Sequence, residues 1–113
     1  PPPAPARAAQ AAREAGLPRR FLLHLGTLEP RKNLVTLLDA WSLLPEDFRR
    51  EVRLVLAGGV GWGAGVFWSE LVNHPAAGEV LVSGYVSDAD AAMLLSAALA
   101  VIVPSRYEGF GLP

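Results

Sequence analysis

Short apolar runs alternate along the chain with stretches in which apolar residues recur every three or four positions. Four such runs predict β-strands, at residues 21–25, 52–57, 80–82 and 100–103. The runs are apolar almost without interruption, which is typical of strands in a parallel sheet whose two faces are both covered. The alternation therefore predicts a sheet enclosed by the intervening helices.

The stretches between the runs predict three helices. The first carries apolar residues at the spacing i, i+3, i+4, i+7, which places them on one helix face. These residues are Leu34, Leu37, Leu38 and Trp41. Pro45 is predicted to close this helix, a second helix is predicted around residues 67–72, and a third follows Ser87. The spacing of Ser87 and Asp90 resembles a capping box, which marks a helix start.

The alternation of strands and helices predicts an α/β fold, a Rossmann-like parallel sheet of strand order 3-2-1-4 with helices on both faces. Crossovers between its strands should be right-handed. In this order the first and fourth strands are neighbours, and the order reverses between them. Ligands bind at such a reversal, outside the carboxyl ends of the strands. The segments that follow these two strands are therefore predicted to meet in one crevice.

Composition and termini bear on domain organisation. Residues 1–20 are interpreted as a proline-rich linker and a short alanine-rich helix that ends at Gly16. Residues 21–113 are interpreted as one partial Rossmann-like domain. The first residue is proline and the last lies inside a motif, so we expect an internal piece of a longer protein.

Charge and cysteine content exclude several classes of partner. The 113 residues include 10 basic and 11 acidic residues, for a net charge of -1. Nucleic acid as a partner would need a basic excess or stripe. The absence of cysteine excludes disulfides and thiolate metal sites, and it is compatible with the cytoplasm. The longest apolar run, residues 91–103, is shorter than the roughly 20 residues that span a bilayer.

Arg31 and Lys32 lie between the first strand and the first helix. Two cations at a helix N-terminus are repelled by the positive end of the helix dipole, which costs stability unless an anion is present. The free backbone amides at a helix N-terminus also favour an anion. The pattern favours a diphosphate, although a solvated basic turn is the alternative. Gly26 ends the first strand and allows close approach of a ligand to the backbone, or it is an ordinary strand-to-loop glycine.

Glu108 follows the fourth strand, next to Gly109 and Gly111. Glycines in such a loop allow tight turns that direct backbone amides at a ligand, and a carboxylate beside them can bind sugar hydroxyls. The alternative is a surface acid in a glycine loop.

Other residues are given no chemical role. The glycine-rich segment 58–65 fits no G-x-G-x-x-G register and follows the second strand, which disfavours an NAD-dependent oxidoreductase. It is interpreted as a flexible loop at the rim of the site, with Trp62 packed rather than functional. His24 is interpreted as a core histidine and His74 as a loop residue, so no metal site is expected.

Three blocks together resemble the C-terminal, donor-binding domain of the glycosyltransferase group 1 proteins (glycosyltransferase family 4). They are residues 26–33, 83–90 and 104–113. The resemblance implies part of a GT-B fold of two Rossmann-like domains. It also implies retaining transfer of a hexose from a UDP- or GDP-sugar to an acceptor, without a metal or other cofactor, in glycan biosynthesis. The parent protein would be cytoplasmic, or peripheral to the inner membrane.

The resemblance also implies site residues. Arg31 and Lys32 match the catalytic basic pair that holds the donor diphosphate and stabilises the leaving group. Glu108 matches the first acid of the E-x7-E motif, which contacts the donor sugar. The other donor-binding positions that it implies are Gly26, Thr27, Tyr85, Val86, Phe110, Gly111 and Leu112.

The chain departs from the family pattern in three ways. Thr27 stands where some members have arginine, the second acid of the motif would lie after Pro113, and the N-terminal acceptor domain is missing. The piece alone is therefore expected to be inactive. A nucleotide-binding remnant without catalysis and a truncated gene product remain alternatives. Self-association through the open edge of the fourth strand is also expected.

Overall fold

The computed structural model of the chain describes residues 16–29, 32–59, 61 and 65–104, with only the backbone described for Val66 and Phe67. The predicted linker and helix before Gly16 lie outside these ranges. The division of the chain near residue 20 therefore stays a prediction.

Four parallel strands form one sheet in the order β3-β2-β1-β4, as the sequence predicts. Their bounds are β1 Phe21–Leu25, β2 Arg53–Ala57, β3 Val80–Gly84 and β4 Ala100–Val101. The two inner strands, β1 and β2, pair over their full lengths, whereas β4 pairs with β1 at only two positions. The sheet is therefore most regular at its centre.

Four α-helices connect these strands within the described part of the chain. Their bounds are α1 Leu34–Ser42, α2 Glu46–Glu51, α3 Gly65–Val72 and α4 Asp88–Ala97. A 3₁₀ turn, Ala77–Glu79, leads into β3. The predicted cap of α4 is confirmed, because the Ser87 hydroxyl accepts a hydrogen bond of 3.1 Å from the Asp90 amide.

The alternation of side chains along the inner strands creates two cores, one on each face of the sheet. One contains Leu54 and Leu56 of β2 with buried residues of α1 and Leu71 of α3. The other contains Phe21, Leu23 and Val55 with Leu94 of α4, and among the described buried residues it shares none with the first. Helices therefore cover both faces, which confirms the predicted α/β architecture.

Helix α2 was not predicted from the sequence. Helix α1 ends at Ser42, and Pro45 is the residue from which α2 begins rather than the end of α1. Acidic residues occupy the first turn of α2 and basic residues its last turn, an arrangement that complements the helix dipole. None of its residues is buried, so it has no apolar periodicity that could have revealed it.

The prediction of a buried fourth strand was wrong. Strand β4 has two residues instead of four, and Val101 is 43% exposed. It lies at the edge of the sheet, where one neighbour is present among the described residues. An open edge offers unpaired backbone groups to other chains, so self-association stays a prediction.

A polar cluster stabilises the sheet at the amino ends of its strands. Arg49 Nη1 donates to both carboxylate oxygens of Glu79, at 2.7 and 2.6 Å, and Trp41 Nε1 donates to the same carboxylate at 3.2 Å. The hydrogen bond from Arg49 is the main cause that lowers the pKa of Glu79 below 4.5, while partial burial acts in the opposite direction. The cluster ties α1 and α2 to the turn before β3.

Glu79→Gln is expected to reduce the free energy of unfolding at pH 7 by about 1 kcal/mol, because it removes the charge that Arg49 pairs with. The pKa of Glu79 is lower in the folded state, so the pair stabilises fully above about pH 4.5 and is lost as the pH falls through the folded-state pKa. Denaturant unfolding between pH 7 and pH 3 measures both effects. The variant should lose less stability on acidification than the wild type.

The control for this variant is Glu46→Gln. Glu46 pairs with Arg50 on the surface, where the two side chains are 72% and 66% exposed, and such pairs contribute little. Equal acid sensitivity of Glu79→Gln and the wild type would contradict the role assigned to Glu79.

Candidate functional site

The carboxyl ends of the four parallel strands lie side by side along one end of the sheet, the carboxyl edge. The described segments that leave this edge are residues 26–29 and 32–33 after β1, residues 58, 59 and 61 after β2, residues 85–87 after β3 and residues 102–104 after β4. Because the strand order reverses between β1 and β4, this edge is where such folds bind ligands.

Backbone hydrogen bonds continue the pairing of β1 and β2 beyond the strands. The Gly26 amide donates to Ala57 O at 2.9 Å, the Leu28 amide to Gly59 O at 2.8 Å, and the Gly61 amide to Leu28 O at 2.8 Å. The Gly58 amide donates to Gly84 O at 3.0 Å, which adds β3 to the network. Gly58, Gly59 and Gly61 of segment 58–65 thus take part in backbone hydrogen bonds, Gly65 is the first residue of α3, and the interpretation of the segment as a flexible loop stays a prediction.

Glycine is required where these segments approach each other. A Cβ atom on Gly58 would lie 1.9 Å from the carbonyl oxygen of Gly26, and Gly58 has a φ of +150°. A Cβ on Gly61 would lie 2.8 Å from the methyl carbon of Thr27. The segments after β1 and β2 thus pack together at distances that no larger residue allows without movement.

The start of α1 has the features of an anion-binding helix terminus. Asn33 occupies the N-cap position, but its side chain accepts no hydrogen bond from the first turn, and that turn contains no acid. Lys32 lies immediately before it, and its amide donates to Glu29 O at 3.0 Å. Lys32 therefore places a cation beside the positive end of the helix dipole, in front of a first turn without an acid.

A side-chain hydrogen bond joins the segments after β1 and β4. Asn33 Nδ2 donates to the carbonyl oxygen of Pro104 at 3.0 Å, across 71 positions of sequence. The Ile102 amide also donates to Leu23 O at 2.7 Å. The two segments that the strand order predicts to be neighbours are thus in direct contact.

His24 is buried beneath this contact, at 3% exposure. Its Nδ1 lies 3.1 Å from Ile102 O, and a carbonyl can only accept, so Nδ1 carries the proton. The position agrees with the interpretation of His24 as a core histidine, and the ring further secures residues 102–104 against β1.

Comparison with known proteins decides the family. The model of the family "Glycosyl transferases group 1" matches residues 7–113, nearly the whole chain. This chain belongs to the group 1 glycosyltransferases. The resemblance of its three sequence blocks to that family is thereby confirmed.

Relatives of this chain include two named mannosyltransferases of Escherichia coli. O-antigen chain mannosyltransferase B is 43% identical over 93 residues, which are 82% of this chain and 24% of that protein. The serotype-specific mannosyltransferase WbdA is 33% identical over 108 residues, with coverage of 86% of this chain and 12% of that protein. The chain thus spans a quarter or less of these relatives.

The fold of the chain also matches a solved structure. The crystal structure of Anabaena Alr3699/HepE in complex with UDP superimposes with a TM-score of 0.75 at 22% sequence identity. The match covers 93% of this chain and 29% of that one. It confirms the Rossmann-like fold predicted for a domain of a GT-B enzyme.

Some of the predicted site residues lie at the carboxyl edge, and others lie outside the described ranges. Gly26, Thr27 and Lys32 all follow β1, and Thr27 is exposed. The positions predicted for the acidic half of the site, and the first residue of the basic pair, lie outside the described ranges. These positions are Arg31, Glu108, Gly109, Phe110, Gly111 and Leu112.

Tyr85 and Val86 have different environments at the same edge. Tyr85 follows β3 with 85% exposure, and its Cβ would be 3.9 Å from a Cβ on Gly59. Val86 is partly buried and packs against the core beneath α4. The tyrosine ring is therefore accessible to a ligand at this edge, whereas the valine contributes mainly to the core.

Two polar contacts of the chain were not predicted from its sequence. One is the hydrogen bond of Asn33, whose only local signal is an asparagine directly before a periodic helix. The other involves His74, whose Nε2 donates to Asp39 at 2.7 Å while its Nδ1 accepts from the Ala76 amide at 3.0 Å. His74 thus joins α1 to the segment after α3, and nothing in the sequence pairs it with Asp39.

Within the described ranges, no three acidic or histidine side chains come close enough together to hold a metal ion. No helix in the same ranges has the length and apolar character that crossing a bilayer requires.

Proposed function

We propose that the chain supplies part of the donor site of a retaining glycosyltransferase that transfers a hexose from a nucleotide-sugar to an acceptor. The observation that carries this proposal is the hydrogen bond between Asn33 and Pro104. It brings the segment with the basic pair together with the segment that leads, four positions later in the sequence, to Glu108. A cationic and an acidic group are what a sugar diphosphate requires.

Electrostatics support the diphosphate part of the proposal. Lys32 and the N-terminus of α1 both present positive charge at the carboxyl edge, and the first turn of α1 contains no acid to neutralise it. Negative charge grows on the phosphate oxygen as the bond to the sugar breaks. Fixed positive groups that meet this charge stabilise the transition state more than the ground state, so Lys32, together with Arg31, is proposed to be catalytic.

The comparisons support the class of donor. Two relatives are named as mannosyltransferases, and the solved relative of similar fold binds UDP. We therefore propose a nucleoside diphosphate hexose, with mannose as the first sugar to test and both GDP and UDP as candidate nucleotides. The exposed ring of Tyr85 is proposed to stack on the base, because an accessible aromatic face at this edge suits a planar ligand.

Isothermal titration of the chain with UDP and with GDP tests the nucleotide site. We expect binding of at least one nucleotide, and we expect Lys32→Ala to weaken it. The matched control is Arg50→Ala, which removes a cation from α2, whose described ion pairs are with Glu46 and Asp47 of the same helix. Absence of heat with both nucleotides, in a chain whose circular dichroism shows folding, would refute the site.

A second candidate function is nucleotide binding without sugar transfer. The observation that favours it is the start of α1, where Lys32 and a first turn without an acid suit a diphosphate whether or not a sugar is transferred. The acceptor domain of a GT-B enzyme is the proposed partner that completes the site. Transfer of labelled mannose by the purified chain, at a rate similar to that of the whole parent protein, would exclude this second function.

A further inference from the structure

We propose that strand β3 is an interface through which two copies of the chain associate. The two strands pair antiparallel about a two-fold axis that passes between the Leu81 residues of the two copies. The interface lies on the side of the sheet opposite β4, so it differs from the self-association through β4 that the sequence predicts. It concerns assembly, and it does not depend on whether the chain binds a nucleotide.

The free edge of β3 is the first observation. Among the described residues β3 has one neighbour, β2, with which it pairs in parallel. An edge strand directs unpaired N–H and C=O groups away from the sheet, and natural proteins usually protect such edges with charged residues, proline or bulges. The sequence of β3, Val-Leu-Val-Ser-Gly, contains neither a charge nor a proline. Its one irregularity lies opposite Leu56 and Ala57, which leaves Val80–Val82 regular and unprotected.

Apolar side chains on both faces of β3 are the second observation. Leu81 and Val82 are 38% and 37% exposed, and they lie on opposite faces because side chains alternate along a strand. Val80 and Val82 line an apolar groove of about 350 Å³, whose other walls include Leu71 and Val72 of α3. Val72 is itself 48% exposed. Apolar surface therefore borders the free backbone of β3 on each face of the sheet.

The order of residues along β3 makes the strand complementary to itself. Antiparallel pairing about Leu81 places Leu81 opposite the partner's Leu81 and Val80 opposite the partner's Val82. The apolar grooves of the two copies then meet on one face, and the leucines meet on the other. Glu79 would lie opposite the partner's Ser83, so no charge faces its like, and Glu79 already pairs with Arg49 of its own chain. A second copy is thus the partner that this edge fits, in the symmetry most common among homo-oligomers.

The size of the interface determines the expected strength of the dimer. The strand has five residues, so the contact is small compared with the standard interface of about 1,600 Å². Interfaces at the low end of the range belong to weak complexes, and we expect a Kd on the order of 100 μM. The chain should therefore be monomeric when dilute and dimeric when concentrated.

Sedimentation equilibrium of the chain between about 10 μM and about 1 mM covers this range of Kd. For Leu81→Lys we expect a Kd at least about tenfold higher, because two like charges would face each other across the axis where two leucines met. The matched control is Val101→Lys, the same kind of change at a 43% exposed residue of the other edge strand, β4. It should associate as the wild type does, and circular dichroism checks the folding of each variant.

A charge exchange tests the position of the axis. Leu81→Glu should weaken association as Leu81→Lys does. A mixture of the two variants should associate more tightly than either variant alone, because opposite charges then face each other across the axis.

Amide hydrogen exchange of the wild-type chain provides a readout that needs no variant. Amides of β3 that point away from β2 should become protected as the concentration rises, and those of β4 should not. The inference is overturned if the wild type stays monomeric throughout, which would leave the edge to another segment or another protein. It is equally overturned if Val101→Lys dissociates the dimer while Leu81→Lys does not, or if the mixed variants associate no more tightly than each alone.

Discussion

Gly58→Ala is expected to reduce the free energy of unfolding by about 3–5 kcal/mol, which is a large fraction of the stability of a small domain. The added Cβ would lie 1.9 Å from the carbonyl oxygen of Gly26. That oxygen belongs to the backbone, so it cannot move aside as a flexible side chain would. Gly58 also has a φ of +150°, a conformation that costs an alanine further strain. Denaturant unfolding followed by circular dichroism measures the loss.

Gly26→Ala is the matched control for this experiment. Gly26 has nearly the same φ, +148°, but a Cβ there would have its nearest neighbour, His24 Nε2, at 3.9 Å. This variant suffers backbone strain alone, for which about 1–3 kcal/mol is expected. Equal destabilisation by the two variants would show that backbone conformation, rather than contact between the segments, decides the requirement for glycine.

Lys32→Ala is expected to reduce the transfer rate of the whole parent enzyme by about 100- to 1,000-fold at saturating donor. Loss of one fixed group that stabilises developing charge has an effect of this size. Lys32→Arg should retain part of the activity, because it keeps the positive charge but changes the geometry in which the phosphate is met. Initial rates with a labelled nucleotide-sugar measure the effect.

The control for charge is again Arg50→Ala, in which a cation of the exposed helix α2 is lost. It should keep the wild-type rate. If the Lys32→Ala enzyme transfers sugar at a rate within about threefold of the wild type, the role of Lys32 is contradicted. The basic pair would then be a solvated turn, which is its alternative interpretation.

The interior of the fold could be predicted from the sequence because buried positions produce a periodic pattern of apolar residues. Strand β1 lies where the apolar run predicts it, and three residues of the predicted helical face, Leu34, Leu38 and Trp41, are buried in α1. Elements whose residues are not buried show no such pattern. Helix α2 has no buried residue, and β4 lies at an edge where a run of apolar residues does not ensure pairing along its whole length.

The site was predictable in its location but not in its internal contacts. The strand order implies that segments after β1 and β4 meet, and they do meet. The bond that joins them links residues 71 positions apart, and the pairing of His74 with Asp39 spans 35 positions. Such contacts depend on the orientation of packed elements, which one sequence does not encode locally. The roles of Arg31 and Glu108 stay predictions, since both residues lie outside the described ranges.

The contacts that join the loops after β1, β2 and β3 run between backbone atoms. Backbone contacts of this kind do not depend on the identity of the neighbouring side chains, provided that the glycines of these loops are kept. Substitutions at exposed positions such as Thr27 and Tyr85 can therefore accumulate during evolution without changing the fold. We expect related enzymes to diversify their nucleotide preference at these two positions first, and natural variants or directed libraries limited to them should remain folded.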